Sequence, residues 1–391
     1  MTSTNQCLLC HHEVFTEFPE LSELKSVTSD CRPWSHGNTI LVCSHCGLVQ
    51  KPIDGQWQQE VAAIYSQYAP YSLSAGREQP VFPGGGSANY SQARSVVILK
   101  HLRESVTLPP QGTLLDVGCG NGAFLKAVSH SFPQWQLSGF EQNRLHEEEI
   151  MQINGVANFY ASLTEINQIF DVIALIHVLE HILQPLSFLT NLREKLNPSG
   201  ILLIQLPNLA ENPFDLVVKD HSSHFTKRTL KWLVEATGFN TITVATDWVT
   251  KEISLVATPT AMPIQSTAFE SLEVREASQL VKKNSEWLQN LVEHAHEMAT
   301  TTDQFGIFGT AIAGSWLAGI LEEKVKFFVE EDGQKLGKLY LGKPVLALAE
   351  LPKESVVYIA LPTKIAQAIY RRIQPLCPQV KFVLPNQSVN G

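Results

Sequence analysis

The sequence predicts an α/β fold, a largely parallel sheet covered by helices on both faces. Three observations carry that prediction. Between residues 86 and 258, short apolar runs alternate with segments of helical periodicity. One of those runs, Thr113-Leu-Leu-Asp-Val117, ends beside an acid and bends through Gly118, Gly120 and Gly122 into a helix. Such a strand, turn and helix form a ligand cradle at the carboxyl end of a strand. From residue 303 the same order recurs: a strand over 304–308, a glycine turn Gly309-Thr-Ala-Ile-Ala-Gly314 and a helix over 315–322.

The first 85 residues read differently. They are rich in cysteine, histidine and aromatics and lack long periodic segments, and Pro83-Gly-Gly-Gly86 then punctuates the chain. Cys7-Leu-Leu-Cys10 and Cys43-Ser-His-Cys46 are two C-x₂-C knuckles with 32 residues between them. Two knuckles present four thiolates to one tetrahedral ion, so Cys7, Cys10, Cys43 and Cys46 are read as a structural zinc site. Gly47 suits the tight turn after the second knuckle. Cys31, His11, His12 and His45 are alternative ligands. A closed four-sulfur site leaves no open coordination position, which excludes this metal from the chemistry.

Residues 86–260 form the predicted core. A helix is expected over 91–102, then strands at Thr113–Val117, Gln136–Phe140, 170–177 and 200–206, with helices at Ala123–Ser131, 147–153 and 183–196 between them. Segments 241–245 and 252–257 are close enough in sequence to pair antiparallel. The turn Gly118-Cys-Gly-Asn-Gly-Ala123 satisfies the dinucleotide spacing G-x-G-x-x-A, which alone permits NAD. Glu141, closing the next strand, can take the ribose hydroxyls of NAD or of S-adenosylmethionine.

A wider pattern separates the two. Leu114-Leu-Asp-Val-Gly-Cys-Gly-Asn-Gly122 resembles the first motif of class I S-adenosylmethionine-dependent methyltransferases. Phe170-Asp-Val-Ile-Ala-Leu-Ile-His-Val-Leu-Glu-His-Ile182 resembles the fourth-strand motif, and Leu196-Asn-Pro-Ser-Gly-Ile-Leu-Leu-Ile204 the entry to the fifth. The resemblance implies a class I methyltransferase (Rossmann-like) core. It also implies a cofactor site at Asp116, Gly118, Cys119, Gly120, Asn121, Gly122, Glu141, Gln142, His177 and Tyr71. Segment 163–166 is expected to border the adenine.

The whole layout resembles the zinc-containing sugar C-methyltransferases, which methylate nucleotide-linked keto-deoxysugars. Cys43-Ser-His-Cys-Gly-Leu-Val-Gln50 is similar to that family's second knuckle, and Tyr65-Ser-Gln-Tyr-Ala-Pro-Tyr-Ser72 to its tyrosine-rich stretch. Phe327-Phe-Val-Glu-Glu-Asp-Gly333 and Gly342-Lys-Pro-Val345 resemble its last domain. The implied substrate is a small nucleotide-linked sugar. One departure stands out. The family's Tyr-His-Glu-His-type run corresponds to Val218-Lys-Asp-His-Ser-Ser-His-Phe225, which keeps His221, has Asp220 in place of Glu and lacks the tyrosine. The general base is expected among His221, His181 and His224, since a neutral imidazole takes a proton near pH 7. Asp220 is a candidate to orient His221, and O- or N-methylation of a sugar or another small metabolite is the alternative chemistry.

A long helix is expected over 266–301, with Val274, Ala277, Val281, Leu288, Leu291, Ala295 and Met298 at helical spacing and Asn284 as the one polar break. Its seam is expected to pack along neighbouring elements rather than to form a coiled-coil dimer. The division is therefore a zinc module (1–85), a methyltransferase core (86–260), a helical linker (261–302) and a C-terminal Rossmann-like α/β domain (303–391). The last domain's turn can hold a phosphate at a helix amino terminus, or can serve packing alone. A balance of 29 basic against 38 acidic residues, net −9, disfavours nucleic acid as the main partner. No window approaches the roughly 18–20 apolar residues of a membrane span. The amino terminus has no signal-peptide pattern, so the expected compartment is the cytoplasm, with reduced or metal-bound cysteines. An NAD-dependent sugar oxidoreductase and a non-catalytic scaffold are the rival readings.

Overall fold

The computed structural model describes residues 6–68, 80–81, 92–260 and 271–386. Tyr71, the Pro83–Gly86 punctuation and residues 261–270 lie outside them.

The core sheet has seven strands. Their spatial order is Val156–Tyr160, Gln136–Phe140, Thr113–Val117, Phe170–Ile176, Leu196–Pro207, Glu252–Pro259 and Phe239–Ala245. In chain order that is 3-2-1-4-5-7-6. The first five run parallel, and Glu252–Pro259 lies antiparallel to both of its neighbours. Phe170–Ile176 is almost wholly apolar because it is covered on both faces. The expected boundaries at Thr113–Val117, Gln136–Phe140 and the helix Ala123–Ser131 match those observed. Strand Leu196–Pro207 starts four residues before the expected 200. Its pairing jumps from Phe170↔Leu196 to Val172↔Ile201, so Asn197–Gly200 bulges out and accommodates Pro198. Strand Val156–Tyr160 was not expected. It is a partly exposed edge, with little apolar alternation to announce it.

The N-terminal module builds a four-stranded antiparallel sheet in the order Phe15–Phe18, Ile40–Cys43, Val49–Gln50 and Ser223–His224. Its last strand is contributed by the core chain. The two units therefore share a sheet at the segment that carries the candidate base.

Helix Ser271–Thr300 is the spine of the molecule. Its buried seam, Ala277, Val281, Leu288, Leu291 and Ala295, joins one apolar cluster with Phe18, Ile40 and Val49, with Phe214 and Leu216, and with Phe305 and Trp316. Asn284 is buried there and donates Nδ2 to the carbonyl of Leu209 at 2.9 Å. The seam thus packs along neighbours, as its spacing predicted. The C-terminal sheet has the order Leu339–Tyr340, Lys343–Leu346, Phe327–Val329, Phe305–Phe308, Val356–Tyr358 and Lys381–Val383. It is parallel apart from its first, short edge strand.

Candidate active site and metal centre

Asp116 sits near the tip of the first core strand and is 2% exposed. Beyond it the chain turns with left-handed φ at Gly118 and Gly120. A Cβ on Gly118 would lie 2.5 Å from Val178 Cγ2, and one on Gly122 would lie 2.7 Å from Ile153 Cδ1. A Cβ on Gly120 would meet nothing within 4 Å. The turn is therefore packed from behind at its ends and open at its middle. Glu141 accepts the Gly120 N–H at 3.2 Å and the Gln142 N–H at 2.9 Å. Burial raises its pKa against those backbone donors. Its carboxylate is thus pre-aimed across the turn. Cys119 presents only backbone to the open side, because its sulfur packs inward beside Gly139. Asn121 is buried within the turn, and Gln142 is exposed at its rim. Segment 163–166 opens with a 3₁₀ turn after the third core strand.

The three candidate bases converge at the end of the fourth strand. The His221 and His181 rings meet edge-on, with centroids 4.7 Å apart. Nδ1 of His221 donates to Asp215 Oδ1 at 2.6 Å, and Nδ1 of His224 donates to Asp215 Oδ2 at 2.9 Å. Burial works against charge on Asp215, but His224 and His221 outweigh it and hold the carboxyl well below its usual range. With Asp215 on Nδ1, a neutral His221 keeps its proton there and leaves Nε2 basic. Burial lowers the pKa of His224, whose side chain is fully enclosed. Burial and His221 lower that of His181, whose Nδ1 lies 2.9 Å from the Asp220 carbonyl and 3.0 Å from the Tyr65 hydroxyl. Tyr65 and Tyr68, from the tyrosine-rich stretch, both stand at this site: their rings meet edge-on, and the Ser29 and Tyr68 hydroxyls lie 3.3 Å apart.

Asp220, a candidate to orient His221, does not do so. Its carboxylate turns away and accepts the N–H and hydroxyl of Ser29 at 2.8 and 2.5 Å. The chain turns at Lys219–Asp220, so the two neighbouring side chains face different partners. The orienting acid is Asp215, six residues upstream. No spacing rule links it to His221, because the 3₁₀ turn Pro213–Val217 folds it back.

His177 adopts a left-handed φ of 56° and faces two acids. Its Nδ1 is 3.2 Å from Glu180 Oε1, and its Nε2 is 3.2 Å from Glu252 Oε1. Arg94 reaches the same Glu252 oxygen at 2.9 Å. Burial disfavours the imidazolium, but Glu252 and Glu180 raise its pKa to about 9. His177 is therefore part of a charge cluster whose two acids favour its imidazolium. Glu180 is 1% exposed, and its Oε2 has no hydrogen-bond partner among the described residues.

The four knuckle sulfurs lie within 4.8 Å of one another, with Cys7–Cys46 at 3.4 Å and Cys10–Cys43 at 3.5 Å. Tetrahedral zinc with Zn–S near 2.3 Å would set them about 3.8 Å apart. The knuckles match. Gly47 and His11 each follow a second cysteine with positive φ, and each donates its N–H to the first cysteine's carbonyl, at 3.0 and 2.9 Å. Backbone N–H groups of Leu9, His45 and Leu48 point at sulfurs. The donor set therefore fits a thiophilic tetrahedral ion. All seven cysteines are free of disulfides.

Among known proteins, residues 91–244 match the family model described as a methyltransferase domain. The ubiquinone biosynthesis O-methyltransferase of Cereibacter sphaeroides is 30% identical over 125 residues, 29% of this chain and 49% of that enzyme. That of Histophilus somni is 29% identical over 132 residues, 31% of this chain and 55% of that enzyme. The chain thus spans about half the length of the curated relatives it matches. Among solved structures, a SAM-dependent methyltransferase from Aquifex aeolicus aligns over 51% of this chain and 98% of its own, at 18% identity and a TM-score of 0.37. Residues 91–244 are thus similar to a methyltransferase domain. The glycine turn, whose spacing alone permits NAD, lies within the matched residues. No helix among the described residues is long and apolar enough to cross a membrane.

Proposed function

We propose that this chain transfers a methyl group from S-adenosylmethionine to a nucleotide-linked keto-sugar, at the carbon next to the ketone, with His221 as general base. The observation that supports this best is the buried Asp215–His221 pair at the end of the fourth strand. In this reading Asp116, the backbone of Gly118–Gly122 and Glu141 hold the donor, Gln142 borders it, and His177 is set by its charge cluster with Glu180 and Glu252. S-Adenosylmethionine, when bound, supplies an electrophilic methyl on a sulfonium. Nε2 of His221 takes the proton α to the ketone, and Asp215 stabilises the imidazolium that results. The enolate carbon bonds to the methyl as the carbon–sulfur bond breaks, and the sulfur leaves as a neutral thioether. His224 holds Asp215 from the other side, and His181 narrows the space around the acceptor.

A second reading is O-methylation, in which His221 takes the proton of a hydroxyl. The names of the two curated relatives favour it. Incubating the protein with S-adenosylmethionine and a panel of nucleotide sugars, with mass spectrometry of the products, separates the two. C-methylation gives a methyl that resists ether-cleaving reagents and fragments with the carbon chain. A methyl ether contradicts the leading reading, and no methylated sugar contradicts the substrate class.

The Cys7, Cys10, Cys43 and Cys46 site is proposed to hold structural zinc, working in the cytoplasm. Protein purified without chelator is expected to carry one zinc per chain. The Cys43→Ser/Cys46→Ser variant is expected to lose it and to unfold locally in the N-terminal sheet. Metal-free wild-type protein with an ordered N-terminal sheet would contradict this.

A further inference from the structure

Lys51 is an almost fully buried amine that none of the roles above uses. It is 1% exposed and directly follows strand Val49–Gln50, the strand that pairs with Ser223–His224. Its Nζ donates to the carbonyl of Val218, to that of Lys219 at 3.3 Å and to that of His221 at 2.9 Å. An ammonium has three donors, and all three are spent on one turn of backbone. Its own N–H donates to the Ser222 carbonyl at 3.0 Å. Trp57, from the helix that follows, adds Nε1 to the Lys219 carbonyl at 3.0 Å. Burial pushes the Lys51 amine down to about 7, and Asp215 and Asp220, the acids on either side of His221, work against that shift as counter-charges.

That is an unusual use of a lysine. Burying an ammonium is costly unless its partners are excellent, and a packed apolar residue would suit a purely structural position. Here the three carbonyls turn inward around Asp220, where regular pairing cannot reach them. The ammonium gathers them and so fixes the backbone from which His221 projects.

We propose that Lys51 is a positioning residue for the base: from the N-terminal module, its ammonium holds the Val218–His221 turn so that His221 stays on Asp215. This rests on the proposed role of His221. It gives the module a part in the chemistry through the strand that leaves the second knuckle, without any part for the metal itself.

The test reads the His221 ring directly. In protein labelled with ¹⁵N-histidine at pH 7.5, long-range ¹H–¹⁵N spectra distinguish a protonated ring nitrogen from a bare one. Wild-type His221 is expected as a single tautomer, protonated on Nδ1. In Lys51→Met the two ring nitrogens are expected to move toward averaged positions, and the 218–222 amides to exchange about 10-fold faster or more. Affinity for S-adenosylhomocysteine, measured by calorimetry, stays unchanged. Lys51→Gln, which keeps an amide donor, is expected to fall between the two. Wild-type-like His221 signals in either folded variant overturn the proposal. If neither variant folds, the wild-type spectrum decides, and a ring already averaging between tautomers overturns it. Failure of the wild-type protein to bind S-adenosylhomocysteine would sink the proposed function instead and leave the ring measurement to judge Lys51.

Discussion

Replacing Glu141 by alanine is expected to weaken S-adenosylhomocysteine binding by roughly 100-fold or more, with the fold intact. The carboxylate closes the second core strand and is already aimed across the glycine turn by the Gly120 and Gln142 N–H groups. Burial raises its pKa against its backbone donors, which marks an acid held partly out of water. A ribose that offers two hydroxyls replaces lost hydration with two charge-assisted hydrogen bonds. Each contributes about 1.5–3 kcal/mol, so losing both costs roughly two to four powers of ten in affinity. Glu141 is only partly buried, and its removal leaves the strand pairing of Gln136–Phe140 untouched. Calorimetry and a thermal melt check both halves. Unchanged affinity would remove Glu141 from the donor site.

Replacing His221 by asparagine is expected to cut methyl transfer by roughly 10²–10⁴-fold, the usual worth of a positioned general base. Affinity for the donor should change little, because the cradle is built by other residues. Asparagine can still donate to Asp215, so the buried carboxylate keeps a partner and the protein stays folded. His224→Asn is the matched control. It loosens the same Asp215 from the far side, and His224 Nε2 is sealed from solvent, so a smaller loss is expected. If the His224 variant were the more damaged of the two in kcat, the base would have to be reassigned.

These two sites were legible in the sequence to different degrees. The cradle was written locally. Strand, acid and glycines are consecutive, and each residue's role follows from a turn of a few residues. The central strands were legible because covering them on both faces demands unbroken apolar runs. The edge strand Val156–Tyr160 has no such demand on it and left no pattern. The histidines could be named, but their partners could not. Asp215 reaches His221 only through a 3₁₀ fold-back, and Asp220, the obvious neighbour, points to Ser29 instead. Lys51 was illegible altogether, since its partners are backbone carbonyls about 170 residues away, and a carbonyl has no signature in the sequence. The knuckles were the opposite case. Their ligand spacing is itself the local geometry, and the four sulfurs converge as that spacing requires.

The central claim is that the bend after the first core strand and the acid closing the second clasp a sulfonium methyl donor. Calorimetric titration of the intact wild-type protein with S-adenosylhomocysteine, and separately with NAD, tests it most directly. The account predicts saturable one-site binding of the thioether and none of the dinucleotide. Heat from NAD alone, or from neither, would contradict it.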